Sequence, residues 1–255
     1  MQSAPIVPSL PARLPDRLRS ETRALHTAAE RSRFMNALLR GRMQRPAYCA
    51  LLRNLQAIYA ALEPALAAHA AHAVIAPLLA PAAWQALWRR AALAADLQQL
   101  HGADWAESIA LQPAAVRYVE RLHELDARQP ELLLAHAYVR YLGDLSGGQM
   151  LGRIVSASVV ASLPVNMTVT AAATAGTTGT AGIAFYDFGD AAQTLALTQA
   201  LRAGLGTVVV DAATADALVG EARLAFELHS ALFDELARAC GLGEATPTEV
   251  APAPA

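Results

Sequence analysis

The chain has 255 residues, of which 55% are hydrophobic, so it can bury a sizeable core in one large domain or two small ones. Alanine dominates the apolar residues and only 5% of the chain is aromatic, which favours helices over sheets. The formal net charge of −2 does not indicate nucleic acid as a partner.

All twenty basic residues are arginine. The absence of lysine excludes a Schiff base or a lysine nucleophile. An anionic ligand must therefore be held by arginine, tyrosine, serine, threonine or backbone N–H groups.

The two cysteines, Cys49 and Cys240, form no CxxC motif and the N-terminus does not have the pattern of a secretory signal. These features favour a reducing, cytoplasmic compartment. Residues 154–186 carry no charge, but the segment contains Pro164 and several glycines and threonines. We therefore expect a helix end followed by a flexible loop there, and no membrane helix.

The first half of the chain is predicted to begin with a flexible N-terminus, residues 1–14. A first helix begins at Pro15 and ends near Ser32, and a second begins at Pro46 and is bent by Pro64. The third helix has a predicted buried face made of Trp84, Leu87, Trp88 and Ala91.

A loop over residues 101–113 leads to a helix that ends near Asp126. The predicted inward residues of that helix are Val116, Val119 and Leu122. A long helix then begins at Pro130 and is followed by a loop rich in hydroxyl groups and glycine, residues 163–183.

The last two helices are predicted to begin at the caps Asp190 and Asp211, and the final helix buries Leu218, Leu228, Leu232 and Leu236. A disordered Ala/Pro-rich tail follows at residues 244–255. The pattern predicts an all-α fold with one compact domain of about eight helices over residues 15–243, and no strand beyond a short run at 207–210.

The segment 138–149 (YVRYLGDLSGGQ) holds three glycines, Gly143, Gly147 and Gly148, in what otherwise reads as a buried helix. Each glycine in a helix interior costs about 1 kcal/mol relative to alanine. Close helix packing, a helix stop, a bend, or the approach of a flat ligand to the backbone would each explain them. A phosphate loop is rejected, since the spacing matches neither phosphate-binding pattern and no strand precedes it.

Asp144 lies between these glycines, with Arg140 and Ser146 close by in sequence. A buried carboxylate is costly unless it is hydrogen-bonded. Facing a cavity, Asp144 could order water molecules and deliver protons to a ligand. The spacing equally allows an aspartate that faces solvent.

His26 is followed four residues later by Glu30, which lies on the same helix face and can accept a hydrogen bond from one ring nitrogen. No second histidine has the spacing of a zinc or di-iron site. A single protein ligand is sufficient for haem, whose porphyrin supplies four nitrogens. His136 is a second-choice ligand, and His229 is interpreted as a core or surface residue.

Three segments resemble the haem oxygenase family. Residues 18–30 (LRSETRALHTAAE) resemble its proximal helix, residues 136–149 (HAYVRYLGDLSGGQ) resemble nearly the whole of its distal-helix motif, and residues 185–188 (FYDF) resemble an aromatic stretch further on. The likeness extends, with gaps, over about residues 14–236. It implies haem sandwiched between a proximal helix and a glycine-bent distal helix.

The resemblance also implies roles for individual residues. His26 would be the proximal iron ligand, steadied by Glu30, and the distal glycines Gly143, Gly147 and Gly148 would contact the porphyrin. Asp144, beside Arg140, would organise the water that supplies protons. The implied reaction converts haem to biliverdin, CO and free iron, with O2 and electrons from a ferredoxin or a flavin reductase.

Propionate binding is implied for Arg19, Arg23, Tyr138 and Arg202. The sequence departs from the family at Thr198, where the family commonly has a basic residue, so the seating of one propionate and the regiochemistry are open. No membrane anchor follows the last helix, as in soluble bacterial members. Two alternatives remain: a haem sensor or carrier without turnover, and a helical bundle that binds another molecule.

Overall fold

The computed structural model describes residues 13–79, 82–161 and 182–242 of the chain. Within them are ten α-helices, eight of which have at least seven residues. The helices are α1 (Leu14–Glu30), α2 (Arg33–Leu39), α3 (Arg45–Ala68), α4 (Ala76–Leu79), α5 (Arg90–Leu100), α6 (Trp105–Ser108), α7 (Pro113–Arg128), α8 (Leu133–Val155), α9 (Ala191–Thr207) and α10 (Ala212–Ala239).

Helix α1 begins one residue before Pro15 and ends two residues before Ser32. The short helix α2, which was not predicted, follows at once, because the Ser32 side chain accepts a hydrogen bond from the backbone N–H of Met35. It buries Phe34 and Leu38. Seven residues make only two turns, which is too short for the apolar period to be read from the sequence.

Helix α3 has Pro46 in its first turn, where the missing N–H costs nothing, and it continues four residues beyond Pro64. The predicted third helix is wrong in its bounds. Trp84 and Leu87 are buried, but they belong to a 3₁₀ turn, Ala82–Leu87, and α5 begins only at Arg90. Ala91 is exposed, because the change of helix type shifts the buried face.

Helix α7 ends at Arg128, close to the predicted end. Val116 is 40% exposed, so its predicted inward position is wrong. The helix buries Ala114, Ala115 and Tyr118 instead, together with the correctly predicted Leu122. The alanine side chains are small enough for the face of α7 that packs against α3 and α10. Val116, one position after Ala115, lies on the outer side of the helix.

The two aspartate caps are confirmed. The Asp190 side chain accepts a hydrogen bond from the backbone N–H of Gln193 at the start of α9, and the Asp190 backbone N–H donates one to Oε1 of Gln193. Asp211 accepts a hydrogen bond from the N–H of Thr214 at the start of α10. The predicted long helix consists of a 3₁₀ turn, Pro130–Leu132, followed by α8 and a π-helical turn, Ser156–Val160.

Helix α10 is the longest helix in the described part of the chain and packs against α1, α2, α7 and α8. Helix α3 packs against α5, α7 and α8. Helix α8 therefore contacts both α3 and α10, and α1 also contacts α10. This arrangement confirms the all-α prediction and brings the two predicted ligand-binding helices, α1 and α8, onto one common partner.

None of the described helices is long and apolar enough to cross a membrane. The predicted flexible residues 1–14, apart from the last two, and the predicted tail at 244–255 lie outside the described residues. Most of the predicted loop at 163–183 also lies outside them.

Candidate functional site

The carboxylate of Asp144 is held by two side chains. The hydroxyl of Tyr59 on α3 donates a hydrogen bond to Oδ2, and Nη2 of Arg140, one turn earlier on α8, lies 3.3 Å from Oδ1. The Asp144 side chain is only 9% exposed. Burial raises the pKa of Asp144, while the Arg140 charge and the Tyr59 hydroxyl oppose the rise. The prediction of a hydrogen-bonded, buried carboxylate is supported over a solvent-facing one.

Arg140 links three helices. Besides Asp144, its Nε donates to the hydroxyl of Tyr59 at 3.3 Å, and its Nη1 lies 2.9 Å from Nδ1 of His229 on α10. The guanidinium is nearly buried, with a side-chain exposure of 7%. Arg140 is therefore placed to orient Asp144 rather than to touch a ligand, which revises the catalytic role predicted for it.

A second buried layer lies behind Tyr59. The Glu63 carboxylate accepts hydrogen bonds from the backbone N–H groups of Arg89 and Arg90 and from the Tyr141 hydroxyl. The Arg89 guanidinium stacks 4.0 Å from the centre of the Phe188 ring and donates to backbone carbonyls around it. These contacts attach the segment that follows residue 182 to α3 and to the start of α5. They thereby fix the surface against which the Tyr59 ring packs.

The glycines of α8 fall into two groups. A Cβ atom added at Gly148 would lie 3.5 Å from the Phe188 ring, and one at Gly152 would lie 3.2 Å from Cβ of Tyr186. A Cβ at Gly143 would meet nothing within 4 Å, and one at Gly147 would meet only a methyl group of Leu151. Packing therefore accounts for Gly148, so its predicted ligand contact is not supported, but it does not account for Gly143 or Gly147.

A helix stop does not explain these glycines either. Helix α8 continues without interruption from Leu133 to Val155, twelve residues past Gly143. Within the described residues, Gly143 faces open space beside the buried Asp144. A helix that exposes bare backbone next to a held carboxylate has the surface expected for a flat ligand.

His26 is a partly exposed side chain on α1, with 48% of its surface accessible. Its Nδ1 lies 3.6 Å from Oε2 of Glu30, within ion-pair range but longer than a hydrogen bond. Its ring meets the edge of the Phe226 ring at a centroid distance of 5.9 Å. Because Nδ1 is directed to Glu30, Nε2 is the nitrogen left to coordinate a metal.

Helix α10 spans the interval between the two predicted ligand-binding helices. Phe226 contacts His26 on α1, and His229, three residues later and on the same face, contacts Arg140 on α8. One face of α10 therefore holds the His26 side and the Asp144 side of the site at a fixed spacing.

Three of the four predicted propionate-binding residues, Arg19, Tyr138 and Arg202, lie near one another on α1, α8 and α9. The side chain of Tyr138 on α8 lies near that of Thr22 on α1, whose hydroxyl donates a hydrogen bond to the Leu18 carbonyl. Burial raises the pKa of Tyr138, and the nearby charges of Arg19 and Arg202 act against it, so both cations lie close to this hydroxyl. Arg23 is exposed on α1, one turn beyond Arg19. The Thr198 hydroxyl is bonded to the Thr194 carbonyl of its own helix.

His136 is not available as an iron ligand, so the second-choice prediction is wrong. Its ring is fully buried, with Nδ1 3.0 Å from the Tyr118 hydroxyl and Nε2 2.9 Å from Glu221. Glu221 is in turn paired with Arg121. Both ring nitrogens are occupied in a structural network between α7, α8 and α10.

Sequence reasoning missed several residues of the site: Tyr59, Glu63, Arg89, His229 and Phe226. In the sequence, Tyr59 falls among the apolar residues of its helix and carries no separate signal, and His229 is interpreted only as a core or surface residue. A polar residue within an apolar face, such as Glu63, was the one available signal, because a carboxylate is buried only where donors meet it.

Comparison with known proteins agrees with this geometry. The family model described as "Heme oxygenase" matches residues 12–235. The chain is 36% identical to "Heme oxygenase 1" of Nostoc sp. over 223 residues, which are 88% of this chain and 85% of the relative. It is 36% identical to human "Heme oxygenase 1" over 228 residues, 89% of this chain and 73% of the relative.

A solved structure of heme oxygenase-1 from the cyanobacterium Synechocystis sp., in complex with heme, superposes with a TM-score of 0.74. Its sequence identity is 31%, and the match covers 91% of this chain and 97% of that one. Residues 12–235, which the family model matches, contain every site residue described above. The chain belongs to the heme oxygenase family.

Proposed function

We propose that this protein cleaves haem oxidatively to biliverdin, releasing CO and ferrous iron, and uses O2 and electrons from an external donor. The observation that carries the proposal is the juxtaposition on α8 of the buried Asp144 carboxylate and the open backbone at Gly143. Family membership and the solved heme complex of a relative support the same assignment.

The residues present fit a haem group. His26 offers Nε2 as the iron ligand, and its Nδ1 is directed to Glu30, which favours the tautomer that leaves Nε2 free. Gly143 offers a backbone surface with no described side chain within 4 Å of an added Cβ, and at Gly147 such a Cβ would meet only a methyl group of Leu151 at 3.6 Å. We assign His26 and Glu30 to the proximal face and the two glycines to the distal face.

The carboxylate of Asp144 is assigned the handling of protons. Bound haem supplies the iron that activates O2 and the porphyrin ring that is opened. Asp144 is held by Tyr59 and Arg140 at the distal face, and a water molecule between it and the ligand could receive or deliver a proton at Oδ1 or Oδ2. Because burial raises the pKa of Asp144, the carboxyl group is closer to proton exchange at neutral pH than an exposed aspartate.

Propionate groups are assigned to Arg19, Arg23, Tyr138 and Arg202. Arg19 and Arg202 lie close to the Tyr138 hydroxyl, so two cations and a donor converge between α1, α8 and α9. Arginine offers two parallel N–H donors to a carboxylate, a geometry that lysine lacks.

The electron donor is proposed to be a separate ferredoxin or flavin reductase, because the sequence contains no flavin or nicotinamide motif. A cytoplasmic location is proposed on the two free cysteines, Cys49 and Cys240, which suit a reducing compartment. Residues 15–243 are proposed to form the functional domain.

Haem titration followed by turnover tests the proposal. Purified protein is titrated with haem without oxygen, then given O2 and ascorbate, and the products are separated by chromatography. We expect one equivalent of haem to bind with a Soret band and biliverdin to form. Haem binding without biliverdin would support a sensor or carrier, and no binding at micromolar haem would support a bundle for another ligand.

A further inference from the structure

His229 is a histidine on α10 that lies against the side of the Arg140 guanidinium directed away from Asp144. Its Nδ1 lies 2.9 Å and its Nε2 3.3 Å from the same atom, Nη1 of Arg140. An arginine only donates hydrogen bonds, so the ring must accept one and must carry an unprotonated nitrogen. His229 is therefore a specific acceptor for Arg140.

The other N–H groups of Arg140 are directed to the candidate active site. Nη2 lies 3.3 Å from Oδ1 of Asp144, and Nε donates to the hydroxyl of Tyr59. The guanidinium is a rigid planar fork, so an acceptor that fixes Nη1 also fixes where Nη2 and Nε point. The orientation of Asp144 thus depends on the group that accepts a hydrogen bond from Nη1 of Arg140, which is the His229 ring.

The surroundings of His229 favour the neutral ring. Burial lowers the pKa of His229 well below its usual range, and the positive charge of Arg140 acts in the same direction. On its own helix, the ring meets the Phe233 ring at a centroid distance of 4.2 Å. Within the described residues, no carboxylate lies within hydrogen-bond distance of His229 to stabilise a second cation beside Arg140.

We propose that His229 is a positioning residue for haem cleavage: its neutral imidazole fixes the Arg140 guanidinium in the orientation that keeps Asp144 and Tyr59 bonded. This inference rests on the proposed function, because the consequence of misplacing Asp144 is measured on bound haem. Its first part, the acceptor role toward Arg140, concerns the protein alone.

An apolar side chain of similar size would fill the same space but would leave Nη1 without an acceptor. A buried N–H group without a partner is costly, so the guanidinium would turn toward another acceptor and release Asp144 or Tyr59. An asparagine at the same place keeps a carbonyl oxygen that can accept the hydrogen bond. Comparing the apolar substitution with the asparagine substitution at His229 therefore separates the effect of the lost hydrogen bond from the effect of changed packing.

The first experiment needs no haem. Side-chain nitrogen NMR of the protein labelled with ¹⁵N-histidine is recorded across the pH range, and the His229 signals are assigned from the His229→Asn variant. We expect one unprotonated, hydrogen-bonded ring nitrogen of His229 that persists below about pH 6.5, the usual pKa of histidine. A ring that is charged at neutral pH would overturn the proposal.

The second experiment compares His229→Leu and His229→Asn with haem bound. We expect the leucine variant to form biliverdin about tenfold more slowly or worse, because small misplacements of a catalytic group cost up to about a hundredfold. The pH midpoint of its ferric haem absorption spectrum should shift in the same direction as in Asp144→Asn. The asparagine variant should stay within about twofold of the wild-type rate.

Leu228→Ala is the matched control, because Leu228 is the partly buried neighbour of His229 and its loss leaves the imidazole in place. It should leave the spectral midpoint unchanged. The proposal is overturned if His229→Leu keeps the wild-type midpoint and rate, or if His229→Asn is as defective as the leucine variant. If the wild-type protein itself forms no biliverdin, the proposed function fails, while the NMR experiment still decides the acceptor role. Circular dichroism establishes that each variant is folded.

Discussion

Gly143 and Gly148 lie five residues apart on α8 and have opposite surroundings. A Cβ atom at Gly148 would contact the Phe188 ring at 3.5 Å, whereas one at Gly143 would meet nothing within 4 Å. One glycine is therefore explained by helix packing and the other is not. Glycine in a helix interior costs about 1 kcal/mol, and no neighbour in the described part of the chain accounts for that cost at Gly143.

The Gly143→Ala substitution should separate stability from ligand binding. We expect the free energy of unfolding of the haem-free protein to rise by about 0.5–1 kcal/mol, because alanine is the better helix former and the added methyl meets no neighbour. Haem affinity should fall about tenfold or more, since the methyl would occupy the surface on which we propose that the porphyrin lies. Urea unfolding and haem titration measure the two effects.

Gly220→Ala on α10 is the matched control, because a Cβ there also meets nothing within 4 Å. It should stabilise the protein to a similar extent and leave haem affinity unchanged. Equal haem affinity in the Gly143→Ala and wild-type proteins would remove Gly143 from the haem surface.

Removal of the His26 imidazole should remove the protein ligand that we propose for the haem iron. We expect the His26→Ala protein to show a changed Soret spectrum with bound haem and to lose biliverdin formation by about a hundredfold, with partial recovery when free imidazole is added. His123→Ala removes an exposed histidine on α7 and should match the wild type. An unchanged spectrum in His26→Ala would mean that another residue coordinates the iron.

The cations at the α1, α8 and α9 junction should each contribute modestly to haem affinity. Arg19→Leu removes an exposed charge near Tyr138, and exposed ion pairs are worth up to about 1 kcal/mol, so the dissociation constant should rise at most about fivefold. The effect should shrink as salt is added. Arg128→Leu is the control, because Arg128 is an exposed arginine on α7, and it should leave the dissociation constant unchanged. An equal loss of haem affinity in both variants would indicate a nonspecific effect of charge.

Asp96 predicts a pH dependence of stability. Its carboxylate is fully buried and accepts hydrogen bonds from the backbone N–H groups of Ala184 and Phe185, both at 2.8 Å. Burial raises the pKa of Asp96 from 3.8 to about 7, with the two N–H groups opposing the rise. Between about pH 4 and pH 7 the folded protein therefore binds more protons at this site than the unfolded chain.

The contribution of Asp96 to the free energy of unfolding should thus fall as the pH rises from about 4 to 7, by up to about 1.4 kcal/mol per pH unit. Urea unfolding of the haem-free wild type and of Asp96→Asn across this range gives the contribution as a difference. Asp234→Asn, at an exposed position of α10, should give a flat difference. A difference that rises with pH for Asp96 would contradict the assignment.

Much of the candidate site could be predicted from the sequence because its most informative residue pairs lie close together in the chain. His26 with Glu30, and Asp144 with Arg140, are each four residues apart on one helix, so helical spacing alone places them on a common face. The caps Asp190 and Asp211 are local signals in the same sense, and both are confirmed.

The partners of those residues could not be predicted because they come from other helices. Tyr59 reaches Asp144 across 85 positions and His229 reaches Arg140 across 89, and no spacing rule relates such positions. Ala91 and Val116 were assigned to the wrong face for a different reason. A 3₁₀ turn before α5, and the burial of small alanines on α7, changed which side of each helix meets the core.

We propose that Asp144 decides whether haem is degraded or only bound, and the Asp144→Asn substitution tests this most directly. The variant keeps the size of the side chain but cannot act as a carboxylate toward water. Wild-type and variant proteins are loaded with one equivalent of haem and given O2 and ascorbate, and biliverdin is measured by chromatography. We predict that the variant binds haem with near wild-type affinity and forms biliverdin about a hundredfold more slowly or worse. Biliverdin formation by Asp144→Asn at the wild-type rate would contradict the account.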